Sequence, residues 1–303
     1  MTSTLSARRQ ATLTFRQGIG RRLPTVSTEP SSFSDQELYR LRQVAESFGV
    51  DAERYDRARP RYPDALIQRV IAASPGVEFL DVGCGTGIGA RQYRAAGCTV
   101  LGVDVDARMA DVAKRSGIEV EIGKFEDWDP NGRSFDAVVA GQAWHWVDPV
   151  LGARKAAQVL RPHGLLALYW HVFDPPSEVA HAFDDVLQRV APDAPLQNRP
   201  SDGSQPGNPA LELQQGNLKR ALDGVRTSGG FGEPEHWRFE WQRHYARDEW
   251  LDHLPTMGTL TQLAPDQLAT VLEAVGTTID SIGGGFTMEY ITLAAAATRT
   301  GDT

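Results

Sequence analysis

The spacing of hydrophobic side chains alternates between two periods from about residue 64 onward. In PDALIQRVIAASPG (63–76), apolar residues recur every three to four positions, which predicts a helix ending at Ser74-Pro75-Gly76. The short apolar run VEFLDV (77–82) follows directly and is typical of a buried strand. The chain therefore begins its regular part with a helix that leads into a first strand.

The same alternation continues to residue 170. The further predicted strands are CTVLGVD (98–104), IEVEIG (118–123), FDAVVAG (135–141) and LLALYW (165–170). The further predicted helices are IGARQYRAAG (88–97), with Gly97 at its C′ position, ARMADVAKRSG (107–117) and PVLGARKAAQVLRPHG (149–164). Strands rich in Val, Leu and Ile that are separated by helices indicate an α/β protein, with a mostly parallel sheet covered by helices on both faces.

The part after residue 171 is less regular. We expect helices at 177–190, 247–254 and 265–282, a polar loop at 194–209, and strands at 236–246 and 283–297. A long irregular insertion in a compact domain usually carries function. We therefore interpret residues 172–253 as a lid that covers the pocket of a substrate.

The stretch FLDVGCGTGIGA (79–90) places a glycine at every second position from Gly83 to Gly89. Glycines this dense weaken strands and helices, but they let a backbone turn sharply and lie close to a ligand. The stretch joins the first parallel strand to its helix, where ligands bind in open α/β sheets. Asp104 ends the second strand, where an acid can accept both hydroxyls of a ribose, so we expect a nucleoside-containing ligand.

The glycines alone leave the identity of this nucleoside open. Gly85-x-Gly87-x-x-Ala90 also satisfies the pattern of dinucleotide-binding turns, which keeps NAD(P) as an alternative. Asp81 lies two residues before Gly83, where an acid would repel a pyrophosphate and would suit an ammonium group. S-adenosylmethionine (SAM) has an ammonium, a sulfonium and a ribose but no phosphate.

The sequence resembles the class I SAM-dependent methyltransferases from about residue 48 to its end. The segments LDVGCGTG, GVDVDARM, SFDAVVAGQAWHWVDP and AAQVLRPHGLLAL match four of their motifs. Upstream, FGVDAERYDRARPRYP resembles the small-molecule branch that includes trans-aconitate methyltransferases and natural-product enzymes. The resemblance implies a Rossmann-like, seven-stranded sheet in one domain spanning 34–303, with the lid inserted.

The resemblance also implies a set of residues that bind the cofactor. These are Tyr55, Arg59, Asp81, Gly83, Cys84, Gly85, Gly87, Asp104, Val105, Phe125, Glu126 and Gln142. Asp104 takes the ribose, and Tyr55 and Arg59 fold over the methionine carboxylate. The chain departs from the family at Lys124, where an acid often takes the adenine amino group. Phe125, apolar walls or Glu126 must then hold the adenine.

The end of the fourth predicted strand, QAWHW (142–146), carries the candidate catalytic residues. His145 is the candidate general base, because an unperturbed imidazole titrates near neutrality, and a fixed hydrogen bond or simple packing is its alternative role. Trp144 and Trp146 are candidates for a wall facing the substrate or the sulfonium.

Composition removes several other classes of function. A formal net charge of −8 argues against nucleic-acid binding, and no apolar run reaches the length of a membrane helix. Cys84 and Cys98 fit no metal spacing and indicate a reduced, cytoplasmic protein without a bound metal. The first 33 residues carry five arginines and no acid before Glu29, so we expect a disordered basic tail, with a transit peptide as the alternative.

Together these observations predict a SAM-dependent methyltransferase that acts on an oxygen, nitrogen or carbon atom of a small molecule and releases S-adenosylhomocysteine (SAH). Two alternatives stay open at this point. One is a non-catalytic SAM-binding protein, and the other is an NAD(P)-dependent oxidoreductase.

Overall fold

The structure is a computed structural model that describes residues 47–192 and 209–301. The predicted basic tail (1–33) and nearly all of the predicted polar loop (194–209) lie outside the described residues.

The described residues form one seven-stranded sheet with the strand order β3-β2-β1-β4-β5-β7-β6. The strands are β1 (Glu78–Val82), β2 (Thr99–Asp104), β3 (Glu119–Ile122), β4 (Phe135–Gly141), β5 (Leu160–Asp174), β6 (Glu235–Ala246) and β7 (Gly285–Thr298). The first five strands are parallel, and β7 runs antiparallel between β5 and β6. This confirms the predicted Rossmann-like, mostly parallel α/β sheet.

Nine α-helices connect and cover these strands within the described ranges. They are α1 (Ala52–Ala58), α2 (Asp64–Ala73), α3 (Ile88–Ala95), α4 (Ala107–Arg115), α5 (Pro149–Val159), α6 (Ser177–Val190), α7 (Pro209–Ser228), α8 (Arg247–His253) and α9 (Pro265–Ser281). Short 3₁₀ turns occur at Phe48–Asp51, Trp144–Trp146, Leu254–Thr256 and Leu260–Gln262.

Successive residues of each strand contribute to two different cores, because side chains alternate across a sheet. Phe79 of β1 packs with α2, α3 and α4 on one face, whereas Leu80 packs with α5 and α7 on the other. Leu165 and Leu166 of β5 divide in the same way. Burial of both faces explains why these strands are continuous apolar runs rather than alternating ones.

Strands β5, β6 and β7 extend beyond the carboxyl end of the shorter strands. Gly141, the last residue of β4, pairs with Tyr169, yet β5 continues in register with β7 to Asp174. Helices α6, α8 and α9 pack with this extension in a third apolar cluster that includes Tyr245, Val275 and Met288. The extension therefore forms a wall beside the edge where ligands bind in such sheets.

Two boundaries differ from the sequence prediction. The helix predicted at 149–164 ends at Val159, and the following residues through Gly164 belong to β5. Pro162 explains the difference, because proline cannot continue a helix and drives the residue before it into an extended conformation. The strand predicted at 165–170 also continues to Asp174, since β7 pairs with it along that length.

The sequence interpretation missed helix α7. Its buried side chains Leu218, Leu222 and Val225 do recur at helical spacing, but the predicted polar loop ends where the helix begins. By contrast, the prediction that Gly97 occupies the C′ position of α3 is confirmed, since Gly97 follows the C-cap Ala96 with a φ of +98°.

Two glycines of α7 allow a matched test of its packing. A Cβ on Gly224 would lie 2.4 Å from the carbonyl oxygen of Pro149 in α5, whereas a Cβ on the exposed Gly216 would meet nothing within 4 Å. We expect Gly224→Ala to lower the free energy of unfolding by about 1–3 kcal/mol through overpacking. Gly216→Ala should raise the free energy of unfolding by up to about 1 kcal/mol, because alanine is the better helix former. Urea denaturation of both variants measures these changes, and equal shifts would contradict the close contact of α7 with α5.

Candidate functional site

A cavity of about 1310 Å³ lies at the carboxyl ends of β1, β2, β4 and β5. Single small-molecule sites typically occupy roughly 300–1,000 Å³. The cavity therefore has room for two ligands side by side, as a group-transfer reaction between two molecules requires. Its position agrees with the general rule for ligand sites in open α/β sheets.

The glycine-rich turn after β1 forms one wall of this cavity. Gly83 and Gly85 have φ values of +64° and +56°, a region that other residues rarely adopt. A Cβ on Gly83 would also lie 2.5 Å from the Cβ of Ala143, which leaves no room for any other residue. Gly83, Cys84 and Gly85 line the cavity, as the sequence predicted for a close backbone approach.

Gly87 has a different position from the other predicted cofactor residues. It lies at the N-cap of α3 with a φ of +83° and is not among the residues lining the cavity. A Cβ there would lie 3.1 Å from the Cβ of Ala113 in α4. Gly87 thus allows the turn into the helix and its packing on α4, and its contact with the cofactor stays a prediction.

Two buried carboxylates face the cavity from the ends of β1 and β2. Burial and, to a smaller extent, the negative charge of Asp104 raise the pKa of Asp81 to about 8, against the opposing effect of a hydrogen bond from the backbone of Ala90. Asp81 forms no ion pair with a cationic side chain of the described residues. A ligand that brings a positive charge would therefore be bound favourably beside Asp81.

Asp104 is held in place by the glycine-rich turn. Its Oδ2 accepts a hydrogen bond of 2.7 Å from the backbone N–H of Gly85, and its Oδ1 accepts one of 2.8 Å from Asp106. Burial raises the pKa of Asp104, while these N–H donors act against the rise. The carboxylate is thus fixed at the mouth of β2, with both oxygens oriented by backbone groups.

Residues that follow β2 and β3 provide apolar surface to the cavity. Phe125 is buried and lines the cavity, and Val105 lines it with 63% of its surface exposed. Glu126 Oε1 accepts a 3.0 Å hydrogen bond from the backbone N–H of Asp148. One carboxylate oxygen of Glu126 is therefore already used to hold the start of α5, which leaves Phe125 and Val105 as the clearer candidates for an adenine wall.

Tyr55 and Arg59 close the cavity from the side of α1. The guanidinium of Arg59 lies 4.8 Å from the centre of the Tyr55 ring, and its Nη2 donates a hydrogen bond to the carbonyl oxygen of Thr256. The Nε of Arg59 is buried and has no hydrogen-bond partner among the described residues. A buried guanidinium with an unused donor fits an anionic group such as a carboxylate.

The segment after β4 places its side chains on two sides of the backbone. Gln142, His145 and Trp146 line the cavity, and Gln142 adopts a φ of +57°. Trp144 is 2% exposed, and its ring packs 6.0 Å from that of Phe125 in the core. The structure therefore brings Trp146, but not Trp144, to the predicted substrate wall.

His145 is held by a hydrogen bond from the core. Trp170 Nε1 donates to His145 Nδ1 at 3.2 Å, and indole N–H groups can only donate. Burial, with a smaller effect from the charge of Arg220, lowers the pKa of His145 to about 4. The neutral ring must then carry its hydrogen on Nε2, which makes that nitrogen a donor instead of a base. This differs from the base with an ordinary pKa that the sequence indicated.

The structure adds residues that the sequence interpretation did not single out. Tyr169, His171 and Phe173 point to one face of β5, at every second position, and all three line the cavity. His253 of α8 and Tyr290 of β7 join His171 and Phe173 around a narrow recess that continues the cavity. The period-two spacing was visible in the sequence, but the pairing of β5 with β7 was not.

The segment 172–253, interpreted from the sequence as a lid, contains α6, α7, β6 and α8. Strand β6 lies at the edge of the sheet, whereas Leu213 and Gln214 of α7 line the cavity.

Within the described ranges no group of three or more His, Cys, Asp or Glu side chains could hold a metal ion. In the same ranges, none of the helices combines the length and the apolar character that crossing a bilayer requires.

Comparison with known proteins was made for the sequence and for the structure. Residues 80–168 match the family model described as a methyltransferase domain. An uncharacterized methyltransferase of Mycobacterium tuberculosis is 36% identical over 135 residues, 44% of this chain and 55% of that protein. A malonyl-[acyl-carrier protein] O-methyltransferase of Enterobacter lignolyticus is 28% identical over 201 residues, which cover 62% of this chain and 78% of the relative. The chain thus spans about half the length of the mycobacterial relative.

The fold also has a similar solved structure, a candidate type II methyltransferase of Anaeromyxobacter dehalogenans. Its TM-score is 0.59 at 22% identity, over 80% of this chain and 99% of the other. Together with the strand order and the glycine-rich turn, these matches identify the fold and the domain. Residues 80–168 form a methyltransferase domain, and the chain has the fold of the class I SAM-dependent methyltransferases.

Proposed function

We propose that the protein transfers a methyl group from SAM to a small-molecule acceptor and releases SAH. The observation that carries this proposal is Asp81, a buried carboxylate without a cationic partner among the described residues, at the carboxyl end of β1. A ligand with an ammonium group would stabilise the ionised form of Asp81. A pyrophosphate beside it would be repelled, which disfavours NAD(P).

The residues of the cavity fit the parts of SAM. Asp104 would accept the ribose hydroxyls, and Gly83, Cys84 and Gly85 would lie along the methionine part. The unused Nε–H of Arg59 would donate a hydrogen bond to the carboxylate of the methionine part, with the Tyr55 ring beside it. When bound, SAM supplies a methyl group already activated on a sulfonium. The protein must then orient the acceptor and exclude water.

The acceptor half of the cavity would be bounded by Gln142, His145, Trp146 and residues of the extended β5. Leu213 and Gln214 place the start of α7 at the same opening, and we propose that segment 172–253 contributes to acceptor selectivity through them. His145 would donate a hydrogen bond from Nε2 to the acceptor rather than remove its proton.

The finer assignments belong to the same proposal. Membership in the trans-aconitate-like branch rests on the segment FGVDAERYDRARPRYP, and a small-molecule acceptor rests on the size of the cavity. The buried free thiols of Cys84 and Cys98 are typical of a reducing compartment such as the cytoplasm.

The test is incubation of the purified protein and isotope-labelled SAM with extracts of the source organism, followed by mass spectrometry of labelled products. Calorimetry with SAH, NADH and NADPH on the same preparation separates the alternatives. Binding of SAH without any labelled product would favour a non-catalytic SAM-binding protein, and binding of NADH or NADPH instead would favour an oxidoreductase.

The first prediction for this site concerns Asp81. Asp81→Asn should weaken SAH binding about 10- to 100-fold, since a charge-assisted hydrogen bond to the ammonium is lost. The affinity for 5′-methylthioadenosine, which lacks the amino-acid part, should stay within about threefold. Calorimetry with both ligands measures the contrast, and an equal loss for both would indicate a general disturbance of the turn.

The same substitution should stabilise the protein without ligand. The pKa of Asp81 is raised from 3.8 to about 8, so the stability tied to its protonated form is lost as the pH rises through about 8. At pH 9, Asp81→Asn should therefore have a free energy of unfolding about 1–3 kcal/mol higher than that of the parent. The variant should accordingly unfold at a higher temperature. This difference should shrink as the pH falls towards 4. Thermal melts across that range would contradict the argument if the variant were less stable at every pH.

The second prediction separates the ribose site from the ammonium site. Asp104→Ala should lower the affinity for both SAH and 5′-methylthioadenosine by about 10-fold or more, because both ligands carry the ribose. Asp111→Ala, which removes an exposed acid on α4, is the control and should change neither affinity. Loss of SAH binding alone would place Asp104 at a different part of the ligand.

The third prediction concerns the protonation of His145. Its imidazole should remain neutral from pH 8 down to about pH 5, because burial lowers its pKa to about 4. NMR titration of the ring protons, assigned with a His145→Gln variant, measures this directly. The variant should bind SAH within about threefold of the parent. A titration midpoint between pH 6 and 7 would instead support His145 as a general base.

A further inference from the structure

His171 has a buried ring nitrogen that no other described group uses. The residue is 5% exposed, lies in β5 and pairs with Thr292 of β7. Its Nε2 has no hydrogen-bond partner among the described residues, and the ring lines the cavity. Buried polar atoms are rarely left without a partner, so this nitrogen points to a ligand.

A chain of hydrogen bonds determines which nitrogen of His171 carries the hydrogen. Trp241 Nε1 donates to Thr292 Oγ1 at 2.9 Å, and Thr292 Oγ1 lies 2.9 Å from His171 Nδ1. The Thr292 hydroxyl has two lone pairs and one hydrogen, and the indole occupies one lone pair. Among the described residues the only other partner of this buried hydroxyl is His171 Nδ1, so its hydrogen has no other acceptor there. A neutral His171 must then carry its own hydrogen on Nε2.

The ring is neutral over the physiological range. Burial lowers the pKa of His171 to about 3, and the positive charge of Arg59 adds to the effect. His171 therefore presents an N–H donor to the cavity, and it cannot accept a proton at Nε2 unless the chain of hydrogen bonds rearranges.

The surroundings of His171 define the ligand group that this donor suits. We call the recess lined by Arg59, Tyr62, Gln142, His171, Phe173 and Tyr290, among others, the His171 pocket. Among the described residues no Asp or Glu lines this recess, and none forms an ion pair with Arg59. The His171 ring lies 4.7 Å from the Tyr62 ring and 5.8 Å from the Tyr290 ring. The N–H donor and the aromatic walls favour an anionic oxygen on an apolar or planar body, while the free Nε of Arg59 is left to the carboxylate of SAM.

We propose that His171 is a specificity-determining residue whose Nε2–H donates a hydrogen bond to an anionic oxygen of the acceptor in the His171 pocket. The identification of this molecule as the methyl acceptor rests on the proposed function. Thr292 and Trp241 are positioning residues, since they act only by fixing the tautomer of His171. The carboxylate of the cofactor has the same chemistry, and the experiment must distinguish it from the acceptor.

The experiment uses the full chain, with and without saturating SAH, and benzoate as the probe. Benzoate combines an anionic oxygen with a planar apolar body, and benzylamine is the matched cation. Long-range ¹H–¹⁵N spectra of histidine-labelled protein should show the Nε2–H tautomer at His171. Benzoate should shift the His171 nitrogen signals in the presence of SAH, and benzylamine should bind at least about 10-fold more weakly.

Variants test the role of each group. His171→Phe should weaken benzoate binding about 10- to 100-fold, as expected for a lost hydrogen bond to a charged group. His181→Phe on the exposed side of α6 is the control and should change nothing. Thr292→Val removes the hydroxyl, so His171 should no longer be held in the Nε2–H tautomer and should bind benzoate several-fold more weakly. Thr292→Ser should restore both the tautomer and the affinity for benzoate. The Thr292 pair keeps the test informative if His171→Phe does not fold.

Four results would overturn the proposal. They are an Nδ1–H tautomer at His171, no benzoate binding to the parent protein, equal benzoate affinity in His171→Phe, and complete displacement of benzoate by SAH. The last would assign the anion site to the methionine carboxylate. Failure of SAH to bind would overturn the proposed function instead, and benzoate titration of the ligand-free protein would still decide whether His171 is the donor.

Discussion

The free energy of burying the Asp81 carboxylate is the constraint on which the site depends. The carboxylate lies at the end of a strand covered on both faces, close to a second acid, Asp104, and its pKa is raised to about 8. Such a carboxylate destabilises the ligand-free fold whenever it is ionised. Without a ligand the fold tolerates Asp81 in its protonated form, and a cationic ligand would make the ionised form favourable, so a cost to stability would become a source of affinity.

The glycine-rich turn is the geometric counterpart of this electrostatic constraint. A ligand can reach Asp81 and Asp104 together only if the backbone between them leaves space, and Gly83 and Gly85 provide it with positive φ values. The N–H of Gly85 also orients the Asp104 carboxylate at 2.7 Å. The turn therefore serves access and orientation at once, which explains why the sequence carries its strongest signal there.

The sequence predicted those parts of the molecule that depend on local spacing. The parallel strands follow from the periodicity of the apolar residues, and the turn follows from the spacing of its glycines. Asp104 follows from its place at the end of the second predicted strand. Helix α7 was missed because its apolar positions lie next to a long polar stretch. Trp144 could not be assigned to the core, because its direction depends on the 3₁₀ turn and on Phe125.

His171 shows a limit of a different kind. Its donor nitrogen depends on Thr292, which is 121 positions away in the sequence, and on Trp241 of a third strand. Only the antiparallel register of β5, β7 and β6 brings these three side chains to one face of the sheet. A single sequence contains each residue but not the register that joins them.

The protonation of the cavity histidines restricts the chemistry that the site can support. His145 and His171 accept a hydrogen bond at Nδ1 and so keep a hydrogen on Nε2. His253 donates from Nδ1 to the carbonyl oxygen of Ala58 and leaves Nε2 bare, yet burial lowers its pKa to about 3. A base this weak gives little driving force for removing a proton near neutral pH. The cavity histidines thus serve as fixed hydrogen-bond donors, and an acceptor that arrives already ionised would need such donors more than it would need a base.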